Sequence, residues 1–389
     1  MLPPFKILDF TRLLPGPLAT LYLADLGAEV IKVEDTKQGD YARNMPPFLK
    51  NISPLYLLLN RNKKSIAIDF NQEDGQKIIH KLVENADVVI EGFKPGTMKK
   101  WNLDYESLKK IKPDLIYVSI TGYGSSGKWA KRAGHDLNFL GYTGILHHLI
   151  KNGQVNIPPI QIADVLGGSM HAIIATLAAL IHKLFYHEGQ YIDISMLDAT
   201  MANTHMMLNS FLAMRQELPP GHDLLTGGMP FYDVYPTKDN RFMVLGTIET
   251  KFWKLFCQTV QREDWLSQQF VFGEKAQKLR NEITELFKSK TQQEWIHIFE
   301  NIDCCVTPVL NYTEAIHLEH FQQRNTISKN QHPTEGEFLN FQLSPFYNKN
   351  NQKRQAPAWG ENTQEILNSL NYSDEQIHFF IKNKIILAP

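Results

Sequence analysis

Cysteine is scarce in this chain. Three occur among 389 residues, Cys257, Cys304 and Cys305, and none belongs to a C-x-x-C pair or has a His-rich neighbourhood. A disulfide framework and a zinc site both need more sulfur or imidazole ligands than this. We therefore expect no metal centre and a reducing, cytoplasmic environment.

An excess of charge of either sign is also missing. Lys and Arg number 40 against 41 Asp and Glu, which leaves a formal net charge of −1. Such a balance argues against a general attraction to nucleic acid or to an anionic membrane. The N-terminus lacks a cationic segment followed by a long apolar stretch, so no export signal is expected. Any anion must bind to a local cluster of Lys and Arg.

The longest apolar stretch, residues 170–183, contains His and Lys and falls short of a membrane span. Its large apolar residues recur at helical spacing, which predicts a buried helix and no membrane partner. They are Ile173, Ile174, Leu177, Leu180 and Ile181.

The first half of the chain alternates strand-like runs with helical patterns. The strand patterns cover residues 6–10, 29–33, 87–91 and 115–119, and the helical patterns cover 18–26 and 73–85. This alternation predicts an α/β fold with a parallel sheet covered by helices. No G-x-G-x-x-G follows the first strand, so a nicotinamide or flavin dinucleotide site is not expected.

We predict three segments. Residues 1–215 form a large α/β domain. Residues 216–329 form a smaller α+β domain, which opens with Pro and Gly near Leu218 and continues with a strand pair and amphipathic helices. Residues 330–389 form a polar return segment that ends in two helical patterns and packs on the large domain.

One short phrase places an imidazole beside a carboxylate. Gly134-His135-Asp136 follows a glycine-rich loop and precedes an apolar run, which predicts a helix start. The helix dipole disfavours imidazolium there, so His135 could accept a proton. A single His is more often structural, however, and Asp136 is also typical of a helix cap.

Five phrases in order add a resemblance. They are DFTRLLPGP at 9–17, ADLGAEVIKVE at 24–34, LNRNKKS at 59–65, EGFKPG at 91–96 and GQYIDISMLDA at 189–199. Together they resemble the class III coenzyme A transferase family, which includes the α-methylacyl-CoA racemases. The resemblance implies an interlocked homodimer with a Rossmann-like large domain, an acyl-CoA thioester as substrate, and no cofactor beyond coenzyme A itself.

The resemblance also implies that Asp164, in QIADVLGGS at 161–169, is catalytic. In the transferases the matching residue attacks the thioester, and in the racemases it holds or returns a proton. From the residues alone, Asp164 is typical of an N-terminal helix cap.

Three features favour racemase chemistry. His135 falls where racemases carry their histidine. The phrase GTIET at 246–250 resembles the racemase Gly-x-Ile-Glu, which implies that Glu249 orients His135. The third is that the glycine-rich loop associated with formyl-CoA transferases is absent from this part of the small domain. His135 and Asp164 would then act on opposite faces of the α-carbon. The Asp136 amide is the candidate donor to the thioester oxygen. From the residues alone, Glu249 simply complements a helix dipole.

By resemblance, five residues line the coenzyme A path, although each cation taken alone is typical of a solvated surface. They are Lys63, Phe93, Lys94, Lys100 and Arg132. One position departs from the family, because Asp35 stands where many relatives place an arginine. A carboxylate there repels phosphate unless Lys32, Lys37 or Arg43 compensates. Asp35 is therefore the one feature that favours a third hypothesis, a non-catalytic acyl-CoA-binding protein.

A methionine-rich stretch between Met201 and Met214 is ambiguous. Its members either line a pliant acyl pocket or belong to ordinary core, which is the commoner outcome. They include Met206, Met207, Phe211 and Met214.

Overall fold

A seven-stranded sheet organises the chain. The computed structural model describes residues 3–342 and 354–389. Within these ranges the strands are β1 (Lys6–Asp9), β2 (Glu29–Glu34), β3 (Lys63–Ile68), β4 (Val88–Glu91), β5 (Ile116–Thr121), β6 (Ile150–Lys151), β7 (Gln154–Val155), β8 (Gln190–Ser195), β9 (Tyr232–Pro236), β10 (Phe242–Gly246), β11 (Val306–Pro308), β12 (Ile327–His332), β13 (Gly336–Phe341) and β14 (Ile386–Leu387). The sheet order is β14-β3-β2-β1-β4-β5-β8, parallel throughout except for β14, which pairs antiparallel with β3. The predicted α/β class with a parallel sheet is confirmed.

Helices follow most of the strands. They are α1 (Pro15–Asp25), α2 (Pro54–Asn60), α3 (Glu73–Glu84), α4 (Thr97–Lys100), α5 (Tyr105–Leu108), α6 (Asp136–Tyr142), α7 (Ile145–His148), α8 (His171–Tyr186), α9 (Met196–Ala202), α10 (His205–Met214), α11 (Thr250–Thr259), α12 (Gly273–Lys288), α13 (Gln292–Phe299), α14 (Tyr312–Ile316), α15 (Glu319–Gln323), α16 (Thr363–Ser369) and α17 (Asp374–Lys382). The described residues also contain two π-helical segments, Ala163–Met170 and Leu224–Gly228, and two 3₁₀ turns, Tyr41–Asn44 and Glu263–Gln268. The predicted helices and strands of the first half and of the C-terminus all form.

The chain divides into two compact units. The first comprises Met1–Thr143, Pro158–Asn203 and Glu319–Pro389, and the second comprises Gly144–Ile157 and Thr204–Leu318. In the first unit, buried Val, Ile and Leu side chains of the parallel strands pack against α3, α16 and α17. The second unit has an antiparallel sheet in the order β11-β10-β9, with a core of aromatic residues from β9, α11, α12 and α13.

The apolar helix α8 is only partly buried. Thr176, Ala179 and Leu180 are buried, but Ile174 is 64% exposed and Phe185 is 74% exposed. The prediction of a buried helix is therefore wrong for one side of α8. The helical spacing of its apolar residues indicated an apolar face, but it did not show whether another part of the protein covers that face. Residues 163–186 are, by length and composition alone, long and apolar enough to cross a membrane.

The methionine-rich helix α10 is exposed as well. None of its residues is buried in the described chain, and Met206 is 59% exposed. The expectation that this stretch belongs to ordinary core is wrong for the single chain.

Four buried charges meet where β1 ends. The Lys63 ammonium lies 3.1 Å from Asp9, and the Lys32 ammonium lies 2.7 Å from Asp40, with all four side chains fully buried. Burial opposes the ionisation of Asp9, but the charges of Lys63 and Lys32 outweigh it and hold the pKa of Asp9 well below its usual range. The four charges cancel, which is the condition for keeping them out of water.

We expect Lys63→Met to destabilise the protein by about 3–5 kcal/mol, because it leaves the Asp9 carboxylate buried without its partner. Urea unfolding followed by circular dichroism measures this change. Lys77→Met is the matched control, since that ammonium is exposed on α3 and pairs with the surface carboxylates of Glu73 and Asp74. Equal midpoints for the two variants would contradict the assignment.

Candidate active site

A cavity of about 330 Å³ opens at the carboxyl edge of the sheet. The chain leaves β1 toward β2 and β3 on one side, and it crosses to β4 and β5 on the other. Ligands of open α/β sheets bind where the strand order reverses in this way. The cavity wall is built from the loops after β1, β4 and β5, together with the segment before α6.

His135 lines this cavity as the residue that caps α6. The predicted helix start is confirmed, and the cap is His135 rather than Asp136. The backbone N–H of His135 donates to Oδ1 of Asn138 at 3.0 Å, which fixes the entry of the helix. A Cβ on Gly134 would lie 2.6 Å from the Tyr123 hydroxyl and 2.8 Å from the Phe139 ring, so only glycine fits before the histidine.

Asp136 connects this segment to Asp164. Its carboxylate Oδ1 accepts a hydrogen bond from the backbone N–H of Asp164 at 2.9 Å. Asp164 lies inside the π-helical turn Ala163–Met170, so the interpretation of this residue as a helix cap is wrong. π-helical turns inside longer helices often occur at functional sites. The structure thus brings the residue after His135 into direct contact with Asp164.

The protonation of Asp164 is unusual for an aspartate. Burial, followed by the neighbouring charge of Asp136, raises the pKa of Asp164 to about 7. Its turn is packed tightly, since the Ser169 hydroxyl donates to the Pro15 carbonyl at 2.7 Å. A carboxyl group held in this state can both give and take a proton near neutral pH.

Glu249 belongs to the second unit, where it precedes the first residue of α11. His135 belongs to the first unit. The contact between Glu249 and His135 stays a prediction.

Three of the five predicted coenzyme A residues line the same cavity, namely Phe93, Lys94 and Arg132. The turn that carries the first two is shaped by Glu91, whose carboxylate accepts from the Phe93 N–H at 2.7 Å. Burial raises the pKa of Glu91 to about 7, against the effect of its hydrogen bonds from Ser119 and Phe93.

Lys63 and Lys100 are placed differently. The Lys63 ammonium is buried and donates to Asp9, Thr20, Asn60 and the Pro17 carbonyl, so it is not free to meet a phosphate. The expectation for Lys63 is therefore wrong in this structure, and the reason is the buried carboxylate of Asp9. Lys100 is exposed at the end of α4, outside the set of cavity-lining residues.

Arg12 is a cavity residue that the sequence analysis missed. Its guanidinium lies 2.8 Å from the Asp35 carboxylate. The expected repulsion by Asp35 is thus compensated, but not by Lys32 or Arg43, which form buried pairs with Asp40 and Glu34. The available signal was the position of Arg12 two residues after Phe10, directly beyond the first strand.

A protein metal site needs several His, Cys, Asp or Glu ligands close together. Within residues 3–342 and 354–389, no group of three His, Cys, Asp or Glu side chains is arranged to hold a metal ion.

The family model of CoA-transferase family III matches residues 2–363, and the chain belongs to this family. It is 31% identical over 394 residues to the human protein named alpha-methylacyl-CoA racemase, covering 98% of this chain and 96% of the relative. It is also 31% identical over 383 residues to human succinyl-CoA:glutarate CoA-transferase, covering 96% and 86%. A CAIB/BAIF family protein from Brucella suis shares the fold with a TM-score of 0.80 and 25% identity, covering 94% and 98%.

The raised pKa of Asp164 predicts a pH dependence of stability. The folded state keeps a proton that the unfolded state releases above its ordinary aspartate pKa, so this residue makes the protein less stable as pH rises from about 4 to 7. Relative to wild type, Asp164→Asn should gain stability across this window, with a slope of at most about 1.4 kcal/mol per pH unit. Urea midpoints at a series of pH values measure the difference, and parallel curves for the two proteins would contradict the shift.

Proposed function

We propose that this protein is an α-methylacyl-CoA racemase or epimerase. It moves a proton at the α-carbon of a 2-methylacyl-CoA thioester through an enolate. His135 and Asp164 exchange the proton on opposite faces, each acting as base in one direction and as acid in the other. Glu249 orients His135, and Phe93, Lys94 and Arg132 hold the coenzyme A portion.

The observation that carries this proposal is the raised pKa of Asp164. Proton return from one face requires a carboxylic acid, whereas proton removal requires a carboxylate. A group with a pKa near 7 supplies both forms at neutral pH, which is the best match between a catalytic acid or base and its working pH. An aspartate at its ordinary pKa would be almost entirely ionised.

The charge that develops on the thioester oxygen needs a donor. Asp136 is the first residue of α6, so the helix supplies no intrahelical acceptor for its backbone N–H. This amide is our candidate donor, and a donor of this kind contributes on the order of 3 kcal/mol. The Asp136 side chain is already engaged with the Asp164 N–H and therefore serves to position the turn.

A transferase activity is the second candidate. It is favoured by the relative named succinyl-CoA:glutarate CoA-transferase, which has the same 31% identity to this chain as the human racemase. In that case, ionised Asp164 attacks the thioester carbonyl, the C–S bond breaks, and a mixed anhydride forms as the coenzyme A thiolate leaves. The thiolate then attacks the Asp164 carbonyl of the anhydride and releases the first carboxylate, which leaves an aspartyl-CoA thioester. The acceptor carboxylate displaces the thiolate to form a second anhydride, and attack of the thiolate on the acceptor carbonyl gives the new acyl-CoA and frees Asp164.

A homodimer also belongs to this proposal. Helix α8 exposes an apolar stripe formed by Ile174, Ile181 and Phe185, and α10 exposes Met206 and Phe211. Apolar surfaces of this kind are usually covered by another protein. A second copy of the chain accounts for them without a further partner.

Deuterium incorporation distinguishes the two chemistries. We expect purified protein, incubated with 2-methylbutyryl-CoA in heavy water, to add one deuterium at the α-carbon without moving coenzyme A to a ¹³C-labelled free acid. Mass spectrometry follows both products. His135→Ala and Asp164→Asn should each lower α-exchange by at least about 100-fold, because general acid–base catalysis contributes about 10²–10⁴-fold.

His297→Ala is the control, since that imidazole is exposed on α13 in the second unit and should leave exchange unchanged. Coenzyme A appearing on the labelled acid would contradict the racemase proposal and support the transferase. Normal exchange by His135→Ala would remove the role assigned to that residue.

The oligomeric state tests the dimer. We expect Phe185→Glu to weaken association, because it places a charge in an apolar contact, whereas Tyr312→Glu should not. The two aromatic side chains are matched in exposure, at 74% and 71%. Light scattering after size-exclusion chromatography measures the mass, and a wild-type monomer at micromolar concentration would overturn the proposal.

A further inference from the structure

The Arg12 side chain is held in the cavity wall by three groups. Its Nη2 donates to Asp35 at 2.8 Å, and its Nη1 donates to the Tyr41 hydroxyl at 2.9 Å. The guanidinium carbon also lies 5.0 Å from the centres of both the Tyr41 and Phe93 rings. Aromatic faces attract a guanidinium, so these contacts restrict it to one orientation.

Asp35 is itself fixed and neutralised. Its Oδ1 accepts from the backbone N–H groups of Lys37 and Gln38 at 2.8 and 2.7 Å. Its backbone carbonyl accepts from the indole of Trp359 at 3.1 Å. The carboxylate therefore faces the arginine with its position determined by surrounding backbone.

The backbone under Arg12 is fixed in the same way. The Thr11 N–H donates to Asp9 at 2.9 Å, and the Thr11 carbonyl accepts from the Lys32 ammonium at 2.9 Å. The Leu13 N–H donates to Asp40 at 2.9 Å, and Leu13 adopts a positive φ of 64°. The buried charge cluster thus holds the turn that presents Arg12.

A guanidinium has five N–H donors. Within the described part of the chain, the bonds to Asp35 and Tyr41 use two of them. Three donors are left to meet a ligand in a cavity whose wall also carries Lys94 and Arg132. Planar donors of this kind match the oxygen atoms of a phosphate group.

We propose that Arg12 binds a phosphate group of the acyl-CoA substrate and that Asp35 is a positioning residue that holds its guanidinium toward the cavity. This inference rests on the proposed acyl-CoA function and adds a residue pair to it. Asp35 then strengthens the binding of a polyanion, although its own charge has the wrong sign for a direct contact.

The direction in which Asp35→Asn changes the affinity for CoA distinguishes a positioning role of Asp35 from simple repulsion of the phosphate. We expect Asp35→Asn to weaken the binding of CoA by about 3- to 10-fold, because a neutral amide holds the guanidinium less firmly. A repulsive carboxylate predicts the opposite, namely tighter binding. Arg12→Met should weaken CoA binding by at least about 10-fold, with Arg12→Lys between it and wild type.

The double variant Arg12→Met/Asp35→Asn should bind CoA no more weakly than Arg12→Met alone, because Asp35 acts through the arginine. Calorimetry measures the affinity of each variant for CoA and for 3′-dephospho-CoA. Ligand-observed NMR measures the affinity for isobutyrylpantetheine, which has no phosphate. Affinity for isobutyrylpantetheine should not change in any variant, whereas a general structural defect would lower it as well. Lys77→Met controls for the loss of one positive charge.

The outcomes separate the inference from the proposed function. Wild-type protein that fails to bind CoA overturns both. CoA binding by wild type with equal or tighter binding by Asp35→Asn overturns the positioning role and leaves the function standing. Equal losses of CoA and isobutyrylpantetheine overturn the phosphate contact of Arg12.

Discussion

The buried ion pairs at the end of β1 hold the turn of residues 11–13, which forms one wall of the cavity. Asp9 and Lys63 lie 3.1 Å apart with no exposure, although their positions are separated by 54 residues in the chain. Charges removed from water at a cost of several kcal/mol each persist only in direct contact with opposite charges. Each member of the cluster therefore has little freedom, and the backbone atoms bonded to it share that restriction.

The restriction passes from the cluster to Asp164 in identifiable steps. Asp9, Lys32 and Asp40 fix the turn of residues 11–13, after which Pro15 begins α1. The Pro15 carbonyl accepts from the Ser169 hydroxyl, and a Cβ on Gly168 would lie 2.9 Å from the Pro15 ring. The π-helical turn that carries Asp164 is thereby docked on the start of α1. The buried charge cluster, which is not exposed to the cavity, thus affects the position of the Asp164 carboxyl group through this chain of contacts.

Local sequence patterns predicted the helices and strands, but they did not predict which side chains pair across the fold. Alternation of strand-like runs and helical patterns predicted β1, β2, β4 and β5, and the change from a glycine-rich loop to an apolar run predicted the start of α6. The same patterns did not show that Lys63 is buried, because its partner Asp9 becomes a neighbour only when β3 joins the sheet. They did not pair Arg12 with Asp35, which lies 23 residues away. They also overstated the burial of α8, because helical spacing identifies an apolar face but not the surface that covers it.

The two proposed chemistries, proton transfer and acyl transfer, require different protonation states of the Asp164 carboxyl group. A nucleophilic aspartate reacts best when it is fully ionised. At the ordinary aspartate pKa of 3.8, roughly one molecule in a thousand is protonated at pH 7. An acid that must return a proton at neutral pH therefore needs a pKa that is raised by several units. Burial and the charge of Asp136 raise the pKa of Asp164 in that direction. The Asp136 carboxylate also accepts the Asp164 N–H. The Asp136 side chain thus contacts the backbone of Asp164 and adds to the effect of burial on its affinity for a proton. Because Asp136 follows His135 directly, the two proposed proton carriers are linked through a single residue.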